Sequence, residues 1–310
     1  MHQAKPVNHT AGGPLILYVP GLKPKPEHSL HREQVLRCML EGIRRIDPDT
    51  AREMGGDEHC FDLVSWTYDF YGEHRDINLD LDDIEDVLRK TEASATDRET
   101  AAGWQRRFLR SIYRAADYLP FLIPQVANED VELQLRDLRR YARNDGDIAE
   151  IVRGQVRNPL RAAASAARPI LLYGHSMGSV ICYDALWQLT HESDDDFKVD
   201  LMLTTGSPLG QNLIQRRLKG FRNEGLERYP RNIRRWSNVA AIGELTAIDM
   251  TLRDDFGDMI SMGLIEDIQD FEAWNYYRMH DVLNVHAEYG YLVNEVTATI
   301  IRDWWRAVSG

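Results

Sequence analysis

Residues 169–190 read PILLYGHSMGSVICYDALWQLT, and this stretch decides the expected fold. The apolar run at residues 169–173 is short and continuous, which is typical of a strand buried on both faces. Two glycines and a serine follow within residues 174–178, and residues 180–190 have the composition of a helix. The stretch therefore predicts a strand, a tight turn and a helix, the repeating unit of a parallel α/β sheet.

Patterns on both sides of this stretch extend the alternation of strands and helices. Residues 14–20 form another apolar run, residues 29–45 carry apolar side chains at helical spacing, and residues 61–68 predict a further strand. The same reasoning predicts helices at 148–166 and 294–305 and strands at 199–205 and 237–242. Because strand, helix and strand follow one another, we expect a mostly parallel sheet with helices on both faces.

Residues 73–147 interrupt this alternation. They are rich in charged residues and mostly helical in pattern, and they include an apolar segment at residues 118–124 that is bracketed by prolines. No Gly/Ser-rich or Pro-rich linker separates them from the rest of the chain. We therefore expect a core formed by residues 1–72 and 148–310, with residues 73–147 as a helical insertion that acts as a lid, a cap or an interaction surface.

The composition argues against several classes of protein. The chain has 310 residues with 37 Lys and Arg against 49 Asp and Glu, a formal net charge of −12, which disfavours a nucleic-acid partner. Its three cysteines, Cys38, Cys60 and Cys182, are too few and too scattered for a disulfide framework or a zinc site. Neither a signal-peptide pattern nor an apolar run of about 20 residues is present. A cytoplasmic protein is the expectation.

The pentapeptide Gly174-His175-Ser176-Met177-Gly178 is the strongest functional signal. A G-x-S-x-G pattern between a strand and a helix predicts a nucleophile elbow, in which a strained turn lifts the serine hydroxyl above the sheet. Glycines flank the serine because a Cβ there would collide with the neighbouring strand or helix. The alternative interpretation is a glycine-rich turn with an inert serine.

A serine hydroxyl needs a histidine to accept its proton, and the histidine needs a carboxylate to orient it. Three histidines follow Ser176 in the chain. His191 comes directly after the elbow helix, too early for this role, and His280 is expected near a helix end. His286 lies in a loop before the last helix, where the base of such a site belongs, so we expect His286 as the base and His280 as the alternative.

The orienting acid should follow the strand predicted at residues 237–242. Glu244 stands two residues after that strand and is our candidate, while Asp249, about one helical turn later, is the alternative. Asp254 and Asp255 are expected in a solvated helix.

The oxyanion of an acyl-transfer intermediate is stabilised by backbone N–H groups. One donor should be Met177, directly after the nucleophile. We expect the other to be Leu22, in the loop after the first strand, where Gly21 lets the backbone turn.

With these residues the chain resembles the lipase-like branch of the α/β-hydrolase superfamily. The resemblance covers residues 14–68 and 168–310, and it implies cleavage of carboxylic esters through an acyl-enzyme on Ser176. It departs from the family pattern where Pro20 replaces a common histidine and Glu244 replaces the usual aspartate. The segments that carry it are Val19-Pro20-Gly21-Leu22, Gly174 to Ser179, Thr205-Gly206-Ser207-Pro208-Leu209-Gly210, Trp236-Ser237-Asn238-Val239, and His286 with Tyr289-Gly290-Tyr291-Leu292.

A small-molecule or lipid ester is the expected substrate, and the sequence indicates no cofactor and no metal. The basic stretch at residues 211–235 is either a solvated face or a peripheral contact with a membrane surface. His28 and His31 are interpreted as surface polar residues, because no third metal ligand is near them. Two alternatives to a hydrolase stay open: a binding or scaffold protein with the same fold, and an acyltransferase with the same three residues. The sequence does not indicate an oligomeric state.

Overall fold

Six strands form one sheet in which every neighbouring pair is parallel. The computed structural model describes residues 12–103, 129–193, 195–244 and 250–309. The strand order in the sheet is β2-β1-β3-β4-β5-β6. The strands are β1 Leu15–Val19, β2 Phe61–Leu63, β3 Ile170–His175, β4 Val199–Thr205, β5 Ile233–Ala241 and β6 Asp267–Ala273, and a separate antiparallel hairpin is formed by β7 Arg278–Met279 and β8 Val282–Leu283. The predicted α/β fold with a mostly parallel sheet is confirmed.

Helices cover both faces of the sheet. Alternate residues of β1 point to opposite sides, so that Leu17 belongs to one apolar core and Tyr18 to the other. The main helices packed in the Leu17 core are Ile148–Ser165 and Met177–His191, and those in the Tyr18 core are His28–Ile46, Glu288–Leu292 and Glu295–Ser309. The remaining α-helices are Pro48–Gly56, Trp66–Tyr71, Leu81–Arg89, Ala95–Ala102, Glu129–Arg143, Asn212–Gln215, Leu252–Phe256 and Asp258–Ser261, and the 3₁₀ helices are Ile77–Leu79, Asp145–Asp147 and Gly225–Arg228.

The register of the sheet brings the carboxyl ends of four strands to one edge. Val19 pairs with Gly174 across β1 and β3, and Thr205 at the end of β4 pairs with His175 and with Val239. The loops that follow β1, β3, β4 and β5 therefore meet at this edge, where ligands bind in open α/β sheets.

One sequence prediction about the sheet is wrong, and one strand of the sheet was not predicted. The strand predicted at residues 61–68 ends at Leu63, and the helix Trp66–Tyr71 begins in its place. The buried Trp66 indole donates to the Pro20 carbonyl oxygen at 2.9 Å, a tertiary contact that overrides the strand-like composition. The edge strand β6 was not predicted, because acidic residues interrupt its apolar positions.

The basic stretch has more structure than expected, whereas the described part of the insertion is helical, as the sequence indicates. The stretch at residues 211–235, interpreted as a loop, contains the helix Asn212–Gln215, the 3₁₀ helix Gly225–Arg228 and the beginning of β5. In residues 73–147, every described element is helical, while the apolar segment at residues 118–124 lies outside the described residues. Its role as a lid stays a prediction. Among the described helices, none is both long and apolar enough to cross a membrane.

Candidate active site

Ser176 occupies a strained backbone position between β3 and the helix Met177–His191. Its φ is 52° and its ψ is −125°, a conformation that a residue with a Cβ rarely adopts. The flanking glycines permit it: a Cβ on Gly174 would lie 2.6 Å from Ser179 Cα, and a Cβ on Gly178 would overlap the Val19 carbonyl oxygen. The turn is therefore packed too closely against β1 and the helix for larger residues.

The structure brings Ser176, His286 and Glu244 into one hydrogen-bonded row. Ser176 Oγ lies 2.9 Å from His286 Nε2, and His286 Nδ1 contacts Glu244 Oε1. Because a carboxylate only accepts hydrogen bonds, we assign the imidazole proton to Nδ1, which leaves Nε2 to accept from the serine hydroxyl. Glu244 is 1% exposed, whereas the His286 side chain is 30% exposed and reaches the cleft described below.

Each member of this row comes from a different segment of the chain. Ser176 follows β3 directly, and Glu244 follows the end of β5 in a turn closed by the Glu244 N–H donating to the Ala241 carbonyl oxygen at 3.1 Å. His286 lies in the loop between β8 and the helix Glu288–Leu292, where its own N–H donates to Asn284 Oδ1 at 3.1 Å. The parallel sheet is what makes these distant segments neighbours.

Gly206, directly after β4, provides the room for the imidazole and the carboxylate. Its φ is +54°, and a Cβ there would lie 3.0 Å from His286 Nδ1 and 3.1 Å from Glu244 Oε1. In the sequence this glycine stands out only within residues 205–210 of the family resemblance, and its role as a spacer is visible only in the structure. A Thr-Gly pair at the end of a predicted strand was the available signal.

Tyr291 is a second residue whose role the sequence did not reveal. Its hydroxyl donates to Glu244 Oε2 and accepts the backbone N–H of Ala241 at 2.8 Å. Burial and then the Glu244 carboxylate raise the pKa of Tyr291 well above its ordinary value. The phenol therefore stays protonated and acts as a donor to the carboxylate.

His175 lies beside His286 as a neutral ring. The two ring centroids are 5.1 Å apart, and His175 Nδ1 lies 3.1 Å from Thr205 Oγ1. Burial lowers the pKa of His175 well below its ordinary value, and His286 acts in the same direction. His175 therefore adds no positive charge beside His286 near neutral pH.

The two expected backbone donors lie next to Ser176 in the chain or in space. Met177 is the first residue of its helix, so its N–H has no acceptor within that helix. Gly21 packs so closely that a Cβ there would lie 2.8 Å from Ser176 Cβ. Leu22 follows in the same turn, which is held where the Lys23 N–H donates to the Tyr71 hydroxyl at 3.1 Å.

A cleft of about 510 Å³ opens onto Ser176 and His286. Part of its wall is apolar, with Leu22, Leu283 and Tyr289, and part is charged, with Lys25, Arg75 and Glu288. A larger groove of about 1040 Å³ lies along the outer face of the helix His28–Ile46, but it contains none of the three residues of the row. The hydrogen-bonded row of Ser176, His286 and Glu244 thus lies at the smaller cavity, which we take as the candidate site.

A second buried glutamate, Glu288, forms part of the cleft wall. Its Oε1 accepts from Lys25 Nζ at 2.8 Å and lies 3.1 Å from His31 Nε2, and its Oε2 accepts from the Tyr18 hydroxyl at 2.9 Å. Burial alone raises the pKa of Glu288, but the charges of Lys25 and His31 outweigh burial and hold it well below the usual value. The interpretation of His31 as a surface residue is wrong, since it is 1% exposed and packed inside this network.

The other candidate residues lie elsewhere. His280, expected near a helix end, occupies the turn between β7 and β8 with a φ of 50° and a side chain that is 72% exposed. His191 Nε2 lies 2.9 Å from the Tyr229 carbonyl oxygen. Asp254 and Asp255 lie in the helix Leu252–Phe256. Asp249, the alternative acid, lies outside the described residues.

No group of three or more His, Cys, Asp or Glu side chains within the described ranges is arranged to hold a metal ion. Comparisons with protein-family models, with curated proteins and with solved structures found no match.

Proposed function

We propose that this protein is a serine hydrolase that cleaves carboxylic esters. The observation that carries the proposal is the hydrogen-bonded row from Ser176 through His286 to Glu244. The serine hydroxyl donates to His286 Nε2, and His286 Nδ1 donates to Glu244 Oε1. The strained serine at the end of a buried strand, with glycines packed around it, is the local geometry that a nucleophile elbow requires.

In the proposed first step, Ser176 Oγ attacks the carbonyl carbon of the ester. The hydroxyl proton moves to His286 Nε2 as the new C–O bond forms. Glu244, hydrogen-bonded to Nδ1, stabilises the imidazolium that results. The carbonyl oxygen becomes an oxyanion, which the N–H groups of Met177 and Leu22 stabilise, with the N-terminus of the helix Met177–His191 favouring the negative charge.

The remaining steps return the site to its starting state. His286 donates its proton to the alkoxide oxygen as the ester C–O bond breaks, so that the alcohol leaves and the acyl group stays on Ser176. Water then attacks the acyl-enzyme while His286 Nε2 accepts its proton. Collapse of the second intermediate releases the carboxylic acid and reprotonates Ser176.

A small-molecule or lipid ester is the proposed substrate, in keeping with the volume of the cleft, about 510 Å³, and its partly apolar wall. We do not include a membrane contact through residues 211–235 in the proposal, because ion pairs neutralise part of the positive charge of this stretch. Lys219 pairs with Glu192 at 2.6 Å and Arg234 with Asp200 at 3.4 Å. Buried free thiols at Cys38, Cys60 and Cys182 support the cytoplasm as the proposed location.

A fluorophosphonate probe tests the proposal on the full chain. Wild type should be labelled, and Ser176→Ala should lose both labelling and esterase activity, the latter on the order of 10⁴-fold or more, with an unchanged circular-dichroism spectrum. Ser261→Ala, which alters an exposed serine in the helix Asp258–Ser261, is the matched control and should behave as wild type.

The other outcomes separate the alternatives. Labelling that persists in Ser176→Ala would contradict the proposed nucleophile. A wild-type protein that is inert to every acyl probe would indicate a binding or scaffold protein. Product formed only when an alcohol acceptor is added would indicate an acyltransferase.

A further inference from the structure

Glu244 is held at both of its carboxylate oxygens. Oε1 faces His286 Nδ1, and Oε2 accepts from the hydroxyl of Tyr291. The second contact is deep in the protein, because Tyr291 is 0% exposed and so cannot touch a substrate.

The Tyr291 hydroxyl is itself fixed by backbone. It accepts the N–H of Ala241, the last residue of β5, at 2.8 Å, and Glu244 stands three residues after Ala241. The phenol oxygen thus bridges the end of the strand and the carboxylate that follows it.

The short helix Glu288–Leu292 that carries Tyr291 is firmly placed. Asn275 Nδ2 donates to the Ala287 carbonyl oxygen at 2.9 Å, just before the helix. Gly290, in the middle of the helix, packs so tightly that a Cβ would overlap Asn275 Oδ1. Because His286 lies five residues before Tyr291, the same segment positions both partners of Glu244.

The chemistry gives the phenol a specific task. A glutamate side chain has one more rotatable bond than an aspartate, so a single contact with His286 leaves its carboxylate free to turn. A donor on Oε2 holds the carboxylate so that Oε1 faces Nδ1, and it favours the ionised form. We propose that Tyr291 is the positioning residue for Glu244, an inference that rests on the proposed function.

Removing the hydroxyl should change catalysis in a characteristic way. In Tyr291→Phe the carboxylate loses a charge-assisted hydrogen bond, and we expect kcat to fall about 10- to 100-fold while KM stays within twofold. The acid limb of the pH–rate profile should also move to higher pH, because the hydrogen-bonded pair of Glu244 and His286 takes up a proton more readily once Oε2 has lost its donor.

The titratable groups around Glu244 and Tyr291 are the same in wild type and in Tyr291→Phe. A difference between the pH profiles of the two proteins therefore reports the loss of the Tyr291 hydroxyl. His175 and Tyr173 on β3 face the pair. Glu288 on the helix Glu288–Leu292 and Lys25 in the first loop act on His175, and His31 on the helix His28–Ile46 is bonded to Glu288.

Tyr141→Phe is the matched control. Tyr141 is also buried, and its hydroxyl donates to Asp184 Oδ2 at 3.0 Å, but it lies in the apolar core on the opposite face of the sheet. This variant loses the same kind of hydrogen bond, and its kcat and pH profile should match those of wild type. A Tyr291→Phe protein that is folded by circular dichroism and retains the wild-type kcat and acid limb would overturn the proposal.

Two further measurements cover a variant that does not fold, since Tyr291→Phe also removes the acceptor of the Ala241 N–H. Glu244→Asp, one methylene shorter, should not reach Tyr291 and His286 together and should lower kcat with little change in KM. Proton NMR of the wild-type chain should detect a slowly exchanging Tyr291 hydroxyl proton far downfield. Absence of that resonance would count against the assignment without any assay of activity. If wild type shows no Ser176-dependent turnover, the proposed function fails first, whereas turnover that Tyr291→Phe leaves intact removes only this inference.

Discussion

Glu244 and Glu288 are two buried glutamates near the same serine, with similar neighbours and different consequences. Both accept a hydrogen bond from a buried tyrosine, and both contact a histidine. Glu288 also pairs with a permanent cation, since Lys25 Nζ lies 2.8 Å from its Oε1. Among the described residues Glu244 has no such cation in contact, and the histidine bonded to it, His286, contacts Ser176 through its other ring nitrogen.

The comparison indicates what makes a buried carboxylate available for chemistry. The charge of Glu288 is balanced in the resting protein, and removing its cation would leave an unpaired charge buried in the fold. Glu244 faces an imidazole that is neutral at rest in the proposed mechanism and becomes positive only when Ser176 gives up its proton. Its stabilisation therefore grows as the reaction proceeds, which is the requirement for lowering a barrier.

The largest expected effect separates the two glutamates by activity. Glu244→Gln keeps the shape of the side chain but removes the charge that orients and stabilises the His286 imidazolium, and kcat should fall on the order of 10⁴-fold. Steady-state ester hydrolysis measures this, with circular dichroism to establish folding. Asp254→Asn, which alters an exposed carboxylate in the helix Leu252–Phe256, is the control and should retain activity. Full activity in Glu244→Gln combined with its loss in Asp249→Asn would transfer the acid role to Asp249.

The second effect concerns stability. Lys25→Met leaves the Glu288 charge buried without its permanent cation, and we expect the free energy of unfolding to fall by about 3–5 kcal/mol, measured by urea denaturation at pH 7. Arg52→Met, which breaks the exposed pair with Asp49, should have no measurable effect. Equal stabilities of the two variants would mean that the Glu288 network does not hold the fold.

The stability effect of Lys25 should also depend on pH. The pKa of Glu288 in the folded protein lies well below its usual value of 4.5. A carboxylate whose pKa is lowered by folding stabilises the folded state fully when the pH lies above its pKa in the unfolded chain. This contribution is lost as the pH falls through its pKa in the folded protein. The gap between wild type and Lys25→Met should therefore narrow as the pH is lowered, because Glu288 without its cation takes up a proton at a higher pH than in wild type. A gap that widens in acid would contradict the assignment of charge to Glu288.

The smallest effect tests the space beside Glu244. Gly206→Ala and Gly263→Ala both place a Cβ at a positive φ, of +54° and +68°, so both should lose about 1–2 kcal/mol of stability. Only the Cβ at position 206 meets His286 and Glu244, whereas nothing lies within 4 Å of one at position 263. Esterase activity per folded molecule should therefore fall about tenfold in Gly206→Ala alone. Equal activities of Gly206→Ala and Gly263→Ala would mean that a Cβ at position 206 does not disturb His286 and Glu244.

Local patterns carried much of the fold prediction. The elbow was readable because a buried apolar strand, two glycines and a helix are neighbours in the chain, and β4 was predicted with its observed bounds. Glu244 was expected after a strand of the parallel sheet and His286 in a loop before the last helix, and the structure places both residues there. Predictions failed where a distant contact decides the local conformation, as when the Trp66 indole bonds to Pro20 and a helix replaces the expected strand.

Other features had no local signal. His31 has the spacing and polar neighbours of a surface residue, and only the packing of its helix against the segment that carries Glu288 buries it. Tyr291 reads as one more aromatic residue of an apolar helix, and its contact with Glu244 spans 47 positions of sequence.

The amino-acid order alone was enough to set the alternation of strands and helices and to mark Ser176, because backbone sterics and apolar periodicity act between near neighbours. Which donors surround each buried carboxylate was decided only when the sheet and its two helical layers came together. Hydrogen bonds and charge pairs form wherever atoms meet in space, and spacing along the chain does not record where that will be.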